Sequence, residues 1–176
     1  MKKIVALGGS TSKTSINKKF ATYVAHQLEN TETEVVDLND YELPLFSVDL
    51  EAEIGSPENA QRLNDVLDSA DAIVLSLAEH NGSFPAAFKN AMDWVSRIEM
   101  KLWRKKPMLL LSTSPGGRGG ASVLATAKTL FPHAGANIIA DFSLPSFHSN
   151  FSKNGIQDEQ LRGALEDKIR QFQQAL

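Results

Sequence analysis

Six small polar residues, Ser10, Thr11, Ser12, Thr14, Ser15 and Asn17, follow the apolar run Ile4-Val5-Ala6-Leu7 and its Gly8-Gly9 end. They stand where a helical pattern opens, with Ile16, Phe20, Val24 and Leu28 at every fourth position. Free backbone N–H groups, the positive end of a helix and several hydroxyls can hold a monophosphate or another anion without a lysine. Equally, one hydroxyl can cap the helix while the others stay solvated. The loop by itself does not choose between these uses.

Two further polar loops share that setting. Ala78-Glu79-His80-Asn81-Gly82-Ser83 leaves an apolar run that ends at Leu77 and precedes Phe84, Ala87, Phe88, Ala91, Met92 and Val95 at helical spacing, with Ser83 the expected cap. The His80 imidazole could stack on a planar ligand or simply face water, and Asn81-Gly82 can be no more than a turn. Ser114-Pro115-Gly116-Gly117-Arg118-Gly119-Gly120 follows Met108-Leu109-Leu110-Leu111 and leads into a helix carrying Val123, Leu124, Ala127, Leu130 and Phe131.

Several chemistries are excluded or weakened by what is missing. A P-loop needs a second glycine before its Lys-Thr, and Ser12 stands there before Lys13-Thr14. Gly117-Arg118-Gly119 is half a dinucleotide fingerprint, with Ser122 at the third glycine position. Ser10-Thr11-Ser12-Lys13 matches a serine-nucleophile tetrad but lacks its companion motifs, and no G-x-S-x-G elbow occurs. His26, His80, His133 and His148 show no metal-ligand spacing, and the lack of cysteine removes disulfides, thiol catalysis and Cys-ligated metals. A net charge of −3 argues against nucleic acid as a partner. The basic stretch from Lys101 to Lys106 is broken by Leu102-Trp103 and reads as a solvated loop. The opening apolar run is far too short for a signal-peptide core or a membrane span, so the expectation is a cytoplasmic protein with no membrane partner.

The loops need a frame to hold them. Five short apolar runs read as strands: Lys3 to Leu7, Thr33 to Leu38, Asp71 to Leu77, Pro107 to Thr113 and Asn137 to Phe142. Helical patterns alternate with them, including one opened by Ser56-Pro57-Glu58 and a last one marked by Leu161, Leu165, Ile169 and Phe172. Asn39 to Gly55 and Ser143 to Gly155 read as long irregular stretches. Residues 1–176 then form a single α/β domain, a parallel sheet with helices on both faces and right-handed crossovers. Strand order 2-1-3-4-5 suits this length, and it brings the loops after strands 1, 3 and 4 to one edge.

The motifs together resemble a known family. Gly9-Ser10 with Ser15-Ile16-Asn17, then Glu79-His80-Asn81-Gly82-Ser83-Phe84-Pro85 and Phe88-Lys89-Asn90-Ala91-Met92-Asp93-Trp94, then Ser114 with Gly116 to Gly120, resemble the NADPH-dependent FMN reductases. These are flavodoxin-like oxidoreductases that include quinone, chromate and azo-compound reductases. The resemblance implies bound FMN, NADPH or NADH as co-substrate, and hydride passed through the flavin to a small acceptor: a quinone, an azo compound, a metal oxyanion or free flavin. It implies that Ser10, Ser15 and Asn17, with Ser12 and Ile16 in the same loop, hold the FMN phosphate. Glu79, His80, Asn81 and Gly82 would line the isoalloxazine ring, largely through backbone groups. Ser114, Pro115, Gly116, Gly117, Arg118 and Gly119 would border its other side, with Arg118 placed to meet the phosphates of the pyridine nucleotide.

The flavin supplies the redox chemistry in such a protein, so no catalytic side chain is required. This chain departs from the family pattern at Ser12, where arginine is usual, and at Ala78 and His80, where proline and tyrosine are usual. The helix carrying Trp94 lies in a subunit interface in the family, which implies a homodimer or homotetramer with Trp94 buried by a second copy. The alternative on the same fold is a non-enzymatic electron carrier or redox-dependent binding protein. Such carriers tend to be strongly acidic, and −3 is mild. A scaffold that has lost FMN is the third option.

Overall fold

The computed structural model describes residues Met1–Leu176. In β1 (Lys2–Gly9), β3 (Ala72–Leu77) and β4 (Pro107–Thr113), successive side chains point to opposite faces of one sheet. Val5, Leu7, Ile73, Leu75, Met108 and Leu110 enter one core layer, while Ile4, Ala6, Val74, Leu109 and Leu111 enter the other. Both faces therefore need a cover, which explains why these strands read as unbroken apolar runs. β2 (Thr31–Val36) and β5 (Asn137–Leu144) close the edges, and the order is β2-β1-β3-β4-β5, parallel throughout.

The first layer is roofed by α3 (Glu58–Ser69), α4 (Ala86–Ile98) and α5 (Ala121–Leu130), through Leu63, Leu67, Phe88, Val95, Val123 and Ala127. The second is roofed by α1 (Ile16–Ala25) and α7 (Glu159–Gln173), through Phe20, Ala21, Val24, Leu165 and Phe172. α1 runs so close to β1 that a Cβ on Gly8 would lie 2.5 Å from the Lys18 nitrogen. That approach holds the first turn of α1 at the carboxyl end of β1.

Four local expectations need correction. The stretch from Asn39 to Gly55 is not wholly irregular: a 3₁₀ turn spans Leu38–Asp40, and α2 (Val48–Ile54) forms with Ser47 Oγ accepting the Leu50 N–H at 3.1 Å. Beyond β5, which runs on to Leu144, lie the short helix α6 (Phe147–Asn150) and an antiparallel hairpin, β6 (Phe151–Ser152) with β7 (Gly155–Ile156). Neither Ser83 nor Ser56 caps a helix. α4 and α3 begin directly after Pro85 and Pro57, with no side-chain cap, and the backbone of Ser83 is committed to His80. Trp94 is already fully buried within one chain. Its indole N–H donates to the Pro44 carbonyl at 2.8 Å, and its ring meets Phe46 edge-on at 5.0 Å, so its own chain's 44–46 segment covers it instead of a second copy.

Candidate functional site

The carboxyl ends of β1, β3 and β4 empty into three loops that border one cavity of about 450 Å³. At its first loop, Ser15 is the N-cap of α1, its Oγ accepting the Lys18 N–H at 3.1 Å, and Lys19 N–H makes the first turn's bond to Ser15 O at 3.2 Å. The amides of Ile16 and Asn17 precede that turn and bond to nothing within the chain. Ser10 Oγ accepts the Ser12 N–H at 3.1 Å. Ser10 and Ser15 line the cavity while nearly buried, at 8% and 4% exposure. Two open amides at a positive helix end, with two hydroxyl donors, form an anion-binding corner.

Asn17 serves a second purpose. Its side chain is 2% exposed, with Oδ1 accepting from Ser76 Oγ at 2.7 Å and from Thr113 N–H at 3.1 Å, while Nδ2 donates to Thr113 O at 3.1 Å. One amide thus ties the start of α1 to the ends of β3 and β4. The Asn17 backbone N–H remains for an anion; its side chain is spent.

The second loop is a tight hairpin. His80 N–H donates to Ser83 O at 2.9 Å and Ser83 N–H to His80 O at 3.1 Å, around Asn81 (φ 51°) and Gly82 (φ 78°). Both central residues are left-handed, the geometry that favours Asn-Gly. Ala78, Glu79 and His80 line the cavity, whereas Asn81 and Gly82 form the exposed tip. The Glu79 carboxylate crosses to the first turn of α5 and accepts the Val123 N–H at 2.9 Å. α5 follows Gly120, which has no side chain to cap with, so Glu79 supplies the missing acceptor and a negative charge at the helix's positive end.

In the third loop Ser114 and Pro115 line the cavity. Gly116, Gly117 and Arg118 form an exposed crest, where Arg118 donates to Ser122 Oγ at 2.8 Å. Gly119 is buried, its carbonyl accepting from Ser112 Oγ at 2.8 Å and Ser143 Oγ at 2.9 Å. Its φ of 58° and a Cβ path blocked by Ser143 Oγ at 2.5 Å leave room for glycine alone.

Of the expected residues, Ser10, Ser12, Ser15, Ile16, Asn17, Glu79, His80, Ser114 and Pro115 thus share one cavity. Asn81, Gly82, Gly116, Gly117 and Arg118 rim it, and Gly119 anchors the loop beneath. Lys19, Thr113 and His148 also line the cavity and were not singled out from the sequence. Lys19 stands four residues after Ser15, one helical turn, so spacing could have found it. His148 had no local signal. It arrives because Ser146 N–H bonds Gly116 O at 2.9 Å and Phe147 N–H bonds Ser114 O at 3.0 Å, docking α6 on the third loop. The open amides at the start of α1 and residues of the second and third loops border the same cavity, a donor set suited to a phosphate that carries a larger group. The residues therefore fit a phosphorylated flavin.

The family described as NADPH-dependent FMN reductase matches residues 2–149. A quinone reductase from Pseudomonas putida is 34% identical over 119 residues, 66% of this chain, and this chain spans 62% of that reductase's length. An NADPH azoreductase from a Bacillus species is 31% identical over 137 residues, covering 78% of this chain and 72% of its own. Among solved structures, FerB, a flavoenzyme NAD(P)H:(acceptor) oxidoreductase from Paracoccus denitrificans, superposes with a TM-score of 0.75 at 28% identity, covering 99% of this chain and 98% of its own.

Proposed function

The chain belongs to the NADPH-dependent FMN reductase family, and from that membership we propose that it binds FMN in the three-loop cavity and carries reducing equivalents from NADPH or NADH to a small oxidised acceptor, a quinone or azo compound being the first class to test. One observation carries this reading: the open amides and hydroxyls of the first loop line a single cavity together with residues of the two later loops. When bound, the flavin supplies the two-electron redox chemistry, taking hydride from the pyridine nucleotide and passing electrons on.

The chain's own residues supply position and charge. The Ile16 and Asn17 amides and the Ser10 and Ser15 hydroxyls hold the phosphate, with Lys19 adding the charge that Ser12 lacks. The His80 hairpin and Ser114-Pro115 flank the ring, and the Glu79–Val123 bond ties the second loop to the start of α5, the helix that follows the third. Arg118, on the crest, meets the phosphates of the incoming nucleotide. A cytoplasmic homodimer or homotetramer completes the proposal. Leu45, Val48 and Ile54, 82%, 66% and 50% exposed on the segment packed over α4, offer apolar surface for a second copy. No helix is long and apolar enough to cross a membrane.

The test is a visible spectrum of the FMN-loaded protein under anaerobic NADPH, then after benzoquinone or an azo dye. Rapid bleaching by NADPH and recovery with acceptor are expected. Flavin that stays oxidised with NADPH alone would overturn the reductase reading in favour of an electron carrier.

A further inference from the structure

A second cavity, a groove of about 670 Å³, is bounded by α1, α6 and β6. Its aromatic wall is held in place. Phe151 stacks on Phe147 at 4.7 Å, meets Tyr23 edge-on at 5.1 Å and meets the buried Phe20 edge-on at 6.0 Å. Gly155, with φ 95°, brings the hairpin so close to α1 that no side chain would fit beside the Tyr23 hydroxyl. Tyr23 and Phe151 nonetheless stay partly open to solvent.

The charge of the groove is of one sign. Lys18, Lys19 and Lys153 line it, and no Asp or Glu does. The Lys18 ammonium is paired with Asp37, whereas Lys19 and Lys153 enter none of the chain's ion pairs. No Asn or Gln lines the groove either, so it offers no side-chain amide to read a base edge and no carboxylate to accept from a ribose diol. Ring faces and free ammonium groups without those readers suit a plain aromatic acid: the ring buries apolar area, and the carboxylate takes charge-assisted bonds. Lys19 also lines the three-loop cavity, one turn into α1 beyond Ser15.

We propose that the groove binds a planar aromatic carboxylate, its ring on Tyr23 and Phe151 and its anion on Lys19 and Lys153, and that this ligand and FMN oppose each other through Lys19. A carboxylate that engages Lys19 draws its charge away from the phosphate corner and sets a like charge beside it; both effects weaken FMN. The opposition needs no passage between the cavities, because it runs through a side chain that lines both. It rests on the FMN reading; the groove site does not.

The test is calorimetric titration of flavin-free protein with 2-naphthoate and with the uncharged 2-naphthalenemethanol, then of FMN with and without saturating 2-naphthoate. Each is repeated in Lys153→Glu, at an exposed position outside the three-loop cavity, and in Lys19→Gln. Naphthoate is expected to bind about tenfold or more tighter than the alcohol, and Lys153→Glu to lose that gain while FMN affinity and melting temperature hold. Saturating naphthoate should weaken FMN about fivefold and then level off, FMN should weaken naphthoate by the same factor, and Lys19→Gln should remove the effect. No naphthoate binding, or binding and antagonism that Lys153→Glu leaves intact, overturns the groove site. Naphthoate binding that leaves FMN affinity unchanged overturns the opposition through Lys19. Failure of FMN to bind overturns the FMN reading and the opposition with it, while the naphthoate titrations still decide the groove site.

Discussion

Asn17 and Thr113 exchange two hydrogen bonds of 3.1 Å, amide to backbone, across 96 residues of chain. With the Ser76 hydroxyl donating to the same Asn17 oxygen at 2.7 Å, the pair locks the start of α1 to the ends of β3 and β4 beside the cavity. Removing the side chain strands buried donors and an acceptor, each costing about 1–3 kcal/mol when left unpaired. Asn17→Ala is therefore expected to lose about 2–4 kcal/mol by urea unfolding, with FMN affinity falling alongside. A loss below about 1 kcal/mol would mean that the lock contributes little.

Glu79 separates its two contributions by substitution. Glu79→Ala removes both the acceptor for Val123 N–H and the charge at the start of α5, and should cost about 1–2 kcal/mol in thermal unfolding. Glu79→Gln keeps an acceptor and loses only the charge, so its cost should be smaller, about 0.3–1 kcal/mol. Equal losses from both would assign the effect to charge alone.

Ser12 lines the anion corner where the resembling family carries arginine. Ser12→Arg should tighten FMN binding about tenfold by adding a charge-assisted bond, and the gain should shrink at high salt. Ser15→Ala should weaken FMN binding and also cost about 1 kcal/mol of stability, because Ser15 Oγ caps α1. Calorimetry with FMN and parallel melting curves separate the two effects.

Asp37 gives stability an acid-side dependence. Burial pushes its carboxyl up, but the Lys18 ammonium and the Asn39 backbone and side-chain N–H groups outweigh it and hold the carboxyl below its ordinary value of 3.8. Lowering in the folded state means the carboxylate's contribution is complete above 3.8 and disappears as pH falls through the lower folded value. The side chain is 25% exposed, so the pair is screened, and Asp37→Asn should cost about 0.5–1 kcal/mol at pH 7. Urea unfolding should show that gap narrowing toward zero well below pH 3.8; a gap independent of pH would contradict the role.

Short-range pattern carried much of the architecture. All five strands and the helices α1, α3, α4, α5 and α7 were legible because burial on one face or two leaves a period in the sequence itself. Crossover handedness and strand number then fixed the order, and with it the meeting of the loops after β1, β3 and β4. The failures were local contests that proximity alone cannot judge. Ser83 and Ser56 had the chemistry of caps, yet the prolines after them start the helices, and Ser83 is tied into the His80 hairpin.

The sequence by itself determined the sheet, its covering helices and the polarity of the three loops, since propensity and periodicity act over a few residues. Tertiary structure alone decided that the Asn17 side chain turns inward to Thr113, that Trp94 is covered by its own Pro44–Phe46 segment, and that Lys19 and His148 line one cavity. Each of those depends on segments far apart in the chain, where packing of the whole domain selects the neighbour and no local spacing records the choice.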